Sequence, residues 1–105
     1  MRQDIKQEWI TRLRSGIPQV KRVLGKGDAR CAIGVLCDIA VDLGITTRRI
    51  EKDGLVVYGD NYVDLVPPEV YDWSDVGQYY LATIGEMNDD GASFAVIAEF
   101  IDDHL

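Results

Sequence analysis

The chain has 105 residues, 47% of them hydrophobic, and a formal net charge of −7. That is one domain's length, with enough apolar content to bury a core without disulfide staples. No apolar run approaches the ~18 residues of a membrane span, no apolar segment of a secretory leader follows Met1, and the acidic balance runs against nonspecific nucleic-acid binding, so a cytoplasmic protein is expected.

Residues 4–15 form the first predicted helix. Ile5, Trp9, Ile10 and Leu13 share one face, and Arg12 and Arg14 complement the dipole in the last turn. Gly16 and Pro18 stop it. Residues 20–24, with Val20 and Val23, read as a strand running into a Gly25-Lys26-Gly27-Asp28 turn.

Residues 32–43 are predicted to be the central helix, because Ile33, Val35, Leu36, Cys37, Ile39, Ala40 and Leu43 nearly surround it. Gly34 within it implies close approach of another element. Cys31 and Cys37 would lie ~9 Å apart along a helix axis, beyond the ~7 Å that a disulfide tolerates, so both read as buried free thiols.

Residues 49–65 read as a β-meander. Asp53-Gly54 marks a hairpin, Gly59-Asp60-Asn61 a second turn, and residues 62–65 a third strand. Residues 67–73 begin with Pro67-Pro68 and read as a short helix that turns Val70 and Trp73 inward. Residues 78–87 carry Leu81, Ile84 and Met87 at helical spacing, and Asn88-Asp89-Asp90-Gly91 breaks them off. Ser93 caps a last helix, residues 94–104, whose apolar stripe is Phe94, Ile97, Ala98, Ile101 and Leu105. The expected fold is one α+β domain over residues 1–105, with about four helices around a buried central helix and a short antiparallel β-meander.

The motifs that would carry chemistry fail on spacing. Counting from Asn88, a calcium loop would find Glu99 in twelfth place, but glycine stands fourth rather than sixth and Ala92 replaces the fifth ligand. Two cysteines and the single histidine, His104, do not complete a four-ligand zinc site. The last two helices are arranged like a helix-turn-helix, but Glu99, Asp102 and Asp103 would then face phosphates, so direct DNA binding is not expected. Cys37 lies in the most buried helix, His104 stands next to last, where chains usually fray, and Gly25-Lys26-Gly27 lacks the spacing of a phosphate loop. A non-enzymatic protein without cofactor or metal is the expectation.

The order of motifs is distinctive as a set. Trp9-x-x-x-Leu13-Arg14-Ser15-Gly16 is followed by Gly34-Val35-Leu36-Cys37-Asp38-Ile39-Ala40, then Pro67-Pro68-Glu69-Val70-Tyr71-Asp72-Trp73, then Met87 through Ala98. Over nearly its whole length the chain resembles a group of small uncharacterised proteins common in bacteriophages and prophages of actinobacteria and their relatives. Those relatives often double the cysteine before the central helix, where this chain has Arg30-Cys31. The resemblance implies a phage setting, in the cytoplasm of an infected bacterium, and assigns no activity to any residue.

Charge is unevenly placed. Residues 1–30 hold eight bases against three acids, and residues 31–105 hold three bases against fifteen acids. The two halves either screen each other or meet a charged partner. Glu99, Asp102 and Asp103 come late in their helix, where the dipole disfavours them, and a basic surface on a protein partner would explain them. The leading expectation is therefore a host or phage protein as partner, held by Glu99, Asp102 and Asp103. The alternative is capture of a nucleotide signal, with Arg12, Arg14 and Arg22 on phosphates and Tyr58, Tyr62, Tyr79 and Tyr80 stacking on bases. A weaker alternative is an acidic mimic of DNA.

Overall fold

A computed structural model describes residues 1–105. Five helices and two small antiparallel sheets, each of two strands, form one α+β domain. Helix α2 (Ala32–Asp42) is its centre: Ala32 to Cys37, Ile39 and Ala40 are all buried. It is flanked by α1 (Gln3–Leu13) and α4 (Gln78–Asp89). Helix α5 (Phe94–His104) packs on α1 and α4. The apolar periodicity that predicts these helices is also what docks them, since Ile5, Trp9, Leu13, Ile84, Ile97 and Ile101 meet in the same core.

The start of α2 is where separate segments converge. The Cys31 thiol caps it, accepting from the Gly34 N–H at 3.3 Å. The Trp9 indole N–H donates to the Ala32 carbonyl at 2.9 Å. A side chain at Gly34 would put its Cβ 1.9 Å from the Leu24 carbonyl oxygen, so only glycine lets residue 24 cross this turn.

Residues 20–24 do not form the expected strand. Arg22 takes φ 71, a conformation that L-residues enter at a cost, and this turns the run aside. The backbone bonds go to distant partners instead. Val20 N–H donates to Arg30 O at 2.9 Å, Arg22 N–H to the Asp89 carboxylate at 2.8 Å, and Leu24 N–H to Val63 O at 2.7 Å. Pairing begins one step later, between β1 (Gly25–Lys26) and β2 (Ala29–Arg30).

The predicted meander is reduced to a hairpin. Strand β3 (Arg48–Ile50) pairs with β4 (Val56–Tyr58), Arg48 opposite Tyr58 and Ile50 opposite Val56. Glu51 N–H reaches Leu55 O at 2.9 Å, and Gly54 sits at φ 91. The loop is thus residues 52–54, a three-residue connection ending on the glycine that its last position requires. The third strand, residues 62–65, survives only as a bridge between Tyr58 and Tyr62, because the Val63 carbonyl is taken by Leu24.

Helix α3 (Pro68–Ser74) starts on a proline and buries Val70. Asp75 at φ 54 and Gly77 at φ 91 reverse the chain into α4. Helix α1 stops at Leu13 rather than residue 15, with Arg14 as its C-cap. Helix α4 runs to Asp89, two residues beyond the predicted 78–87, because Asn88 is a core group rather than a breaker. Its side chain is 1% exposed. Asn88 Nδ2 donates to Val20 O at 2.9 Å, while Oδ1 accepts from Gln19 Nε2 at 2.9 Å and from Ala32 N–H at 3.1 Å. The break falls at Asp90 and Gly91, and Ser93 caps α5 through Val96 N–H as expected.

Candidate functional site

The largest concavity is an open groove of about 680 Å³ beside α4. One wall is the α4 face bearing Gln78, Ala82, Gly85, Glu86 and Asp89, and the other is the irregular segment Asp64 to Val66 with Pro68 and Tyr71 of α3. Leu81 of α4 and Ile33 of α2, both buried, complete the lining. The groove exists because α4 carries little there: Ala82 is short, and a Cβ on Gly85 would meet nothing within 4 Å. Leu65 is 69% exposed and Tyr71 37%, both large apolar groups at this site.

The electrostatics of the groove are one-sided. Asp64, Glu86 and Asp89 line it, and no lysine or arginine does. None of these three carboxylates belongs to an ion pair of the molecule. Asp89 accepts only from the Arg22 N–H and, at 3.4 Å, from Asn88 Nδ2. A recess of about 60 Å³ continues from the inner end, sharing Ile33, Asp64, Gly85 and Asp89, and adds Arg22. An anionic ligand in the groove would meet three carboxylates at close range, whereas an apolar ligand with flanking cations would be neutralised.

The acids Glu99, Asp102 and Asp103 are exposed on α5, away from the groove lining. Part of their placement has an internal explanation. Lys6, only 8% exposed, donates to the Asp102 carbonyl at 3.0 Å and lies 3.9 Å from its carboxylate. An ammonium at the C-terminal end of α5 offsets the dipole that those late acids oppose.

The residues of the nucleotide alternative are dispersed. Tyr58 is fully buried, and its hydroxyl donates to Asp38 at 2.5 Å. Burial and that hydrogen bond push its pKa far above the usual tyrosine range. Arg12 is held by Glu8 at 2.9 Å and Asp42 at 2.7 Å; partial burial opposes its charge, but these bonds raise its pKa overall. Arg14 is exposed at the end of α1, Arg22 faces the recess, and Tyr62 is half-buried beside Tyr58. Tyr79, 72% exposed, meets Tyr80 edge-on at 5.1 Å, and Tyr80 continues into Phe100 and His104. No cavity is lined by two of these seven residues.

Neither thiol is poised for chemistry. Cys31 and Cys37 are buried and unbridged, and burial pushes both pKa values up, Cys37 far up. The sequence signal that finds the groove is modest: Ala82 and Gly85 share one α4 face with Glu86 and Asp89, which leaves that face acidic and nearly bare.

The full chain, residues 1–105, matches the family described as Domain of unknown function (DUF8296), and it belongs to that family. No curated protein and no solved structure matches it.

Proposed function

We propose that this DUF8296 member is a non-enzymatic accessory protein of phage or prophage origin that binds a host or phage protein in the cytoplasm of the infected bacterium. The observation that supports the reading is the groove beside α4: apolar residues exposed between walls whose carboxylates form no ion pair within the molecule. Isolated exposed leucines need no explanation, but an apolar groove with unpaired charge on both walls is what an interface presents before its partner arrives. The groove replaces the α5 acids as the principal contact in this proposal, because Lys6 already answers part of their charge.

The test is recovery of tagged protein from bacterial lysate, weighed intact without denaturation, in parallel with a Gly85→Trp variant. Wild type should gain a protein's mass, and the indole should block that gain by filling the groove. A gain of only a few hundred daltons would replace this reading with small-molecule capture. Equal protein capture by Gly85→Trp would remove the groove from the proposal.

A further inference from the structure

The geometry points to one class of occupant for this groove: we infer that it takes a basic amphipathic helix, with apolar side chains on Ile33, Leu65 and Leu81 and with lysines or arginines reaching Asp64 on one side and Glu86 and Asp89 on the other. This rests on the docking reading above and adds the chemistry of the docked segment.

Three features of the groove argue for a helix. The α4 wall runs from Gln78 to Asp89, about 16 Å at 1.5 Å per residue, which matches three turns of a partner helix. Packed helices approach to about 8–10 Å between axes, and closer approach needs small side chains at the contact. Gly85 and Ala82 supply that clearance at the middle of the wall, where a Cβ on Gly85 would touch nothing. Helix-in-groove recognition reads an apolar stripe at three- and four-residue spacing, and the floor here offers apolar contacts without a free sheet edge.

The charge pattern selects the flanks of that helix. Carboxylates stand on both walls, Asp64 on one and Glu86 and Asp89 on the other; no base lines the groove, while Arg22 lines the adjoining recess and Lys21 Nζ lies near Gly91, beyond the Asp89 end. An acidic helix would bring like charges together on both sides, and a purely apolar one would leave three carboxylates beside it without compensation. A helix with cations on both flanks of its apolar stripe satisfies floor and walls together.

The probe is a labelled synthetic peptide of about 18 residues, long enough to hold some helix in water. Leucines occupy one face and lysines the rest. A second peptide has the same composition in scrambled order, and a third carries glutamate in place of lysine. Anisotropy at physiological salt should show the amphipathic lysine peptide binding at least about tenfold more tightly than the scrambled one, with the glutamate peptide not binding. Gly85→Trp should weaken it about tenfold, as should the pair Asp64→Lys and Glu86→Lys. If the indole disturbs folding, Leu65→Asp at a highly exposed position serves the same end. Equal binding of ordered and scrambled peptides, or binding indifferent to all these variants, overturns the inference. If lysate capture is sensitive to Gly85→Trp while the peptides show no discrimination, the helix inference falls and the docking reading stands. If capture is insensitive as well, the groove falls as the docking site and the helix inference with it.

Discussion

Asp38 and the groove acids show two fates for a carboxylate beside an apolar core. Asp38 is met by Arg30 Nε at 2.8 Å, by Arg48 Nη1 at 2.9 Å and by the Tyr58 hydroxyl. Arg30 itself is only 8% exposed, and its Nη1 donates to the Gly27 and Ala29 carbonyls at 2.7 and 2.8 Å. No buried side-chain polar atom in the molecule lacks a partner. Asp64, Glu86 and Asp89 form no ion pair within the molecule. The first region is closed, with its polar groups used internally to join α2, β2, β3 and β4. The second keeps charge and apolar surface in reserve. A closed network should respond to mutation through stability, and an open one through binding.

The largest expected effect comes from opening the closed region. Asp38→Ala leaves the Arg30 guanidinium buried without its anion and strips Tyr58 of its acceptor. The expected loss is about 3–5 kcal/mol, the usual result of removing one partner from a buried pair. That is a large part of the 5–15 kcal/mol typical of a domain. Urea melts should show it, while Asp64→Ala should move the midpoint little.

Asn88→Ala comes next. It leaves the Val20 carbonyl and the Ala32 N–H without their partner at the join between α2, α4 and the loop before β1. A loss of about 2–3 kcal/mol follows from the desolvation left uncompensated. If the melt instead shifts by only a few tenths, water has replaced the amide and the join is less closed than its geometry indicates.

These two residues also mark what was legible in the sequence. Periodicity at 3.6 residues found the four longer helices, because Ile5, Trp9 and Leu13, or Phe94, Ile97 and Ile101, repeat on the faces that dock, and Pro67-Pro68 marked the short one. The central position of α2 follows from its apolar residues alone. Asn88 read as a breaker because asparagine competes poorly for helix interiors. Its true partners, at residues 19, 20 and 32, become neighbours only when the chain closes. The strand predicted at 20–24 failed for the same kind of reason: Arg22 N–H prefers a distant carboxylate to a local ladder. The groove was the least legible feature, since it depends on the path of residues 64–66 past α4. That path is pinned by the bond from Leu24 to Val63, which no local pattern encodes.

A smaller effect separates the two regions by pH. The buried Tyr58 phenol keeps its proton well beyond the usual range, whereas the unfolded chain releases it near pH 10. Above that pH the unfolded state binds fewer protons than the folded state, so stability falls as pH rises, by up to about 1.4 kcal/mol per pH unit for this group. The buried thiols add the same sign from about pH 8.5 upward. Tyr58→Phe should cost about 1–2 kcal/mol near neutrality through the lost bond to Asp38, yet decline less steeply than wild type above pH 10. Identical alkaline slopes would mean that Tyr58 ionises in place, with the Asp38 network already open.

The smallest effect has the opposite sign and belongs to the groove. Gly85 lies within α4, where glycine costs about 0.5–1 kcal/mol relative to alanine, and its φ is not one that only glycine adopts. A Cβ there meets nothing within 4 Å. Gly85→Ala should therefore stabilise the domain by about 0.5–1 kcal/mol, visible as a higher urea midpoint. The proposed docked segment would approach the bare backbone at Gly85, where an added methyl would stand between the two helices. The same variant should then bind the amphipathic lysine peptide less well while being more stable. A stabilised variant with undiminished peptide binding would show that the clearance at Gly85 is not used, and the contact would have to move toward Leu65 and α3.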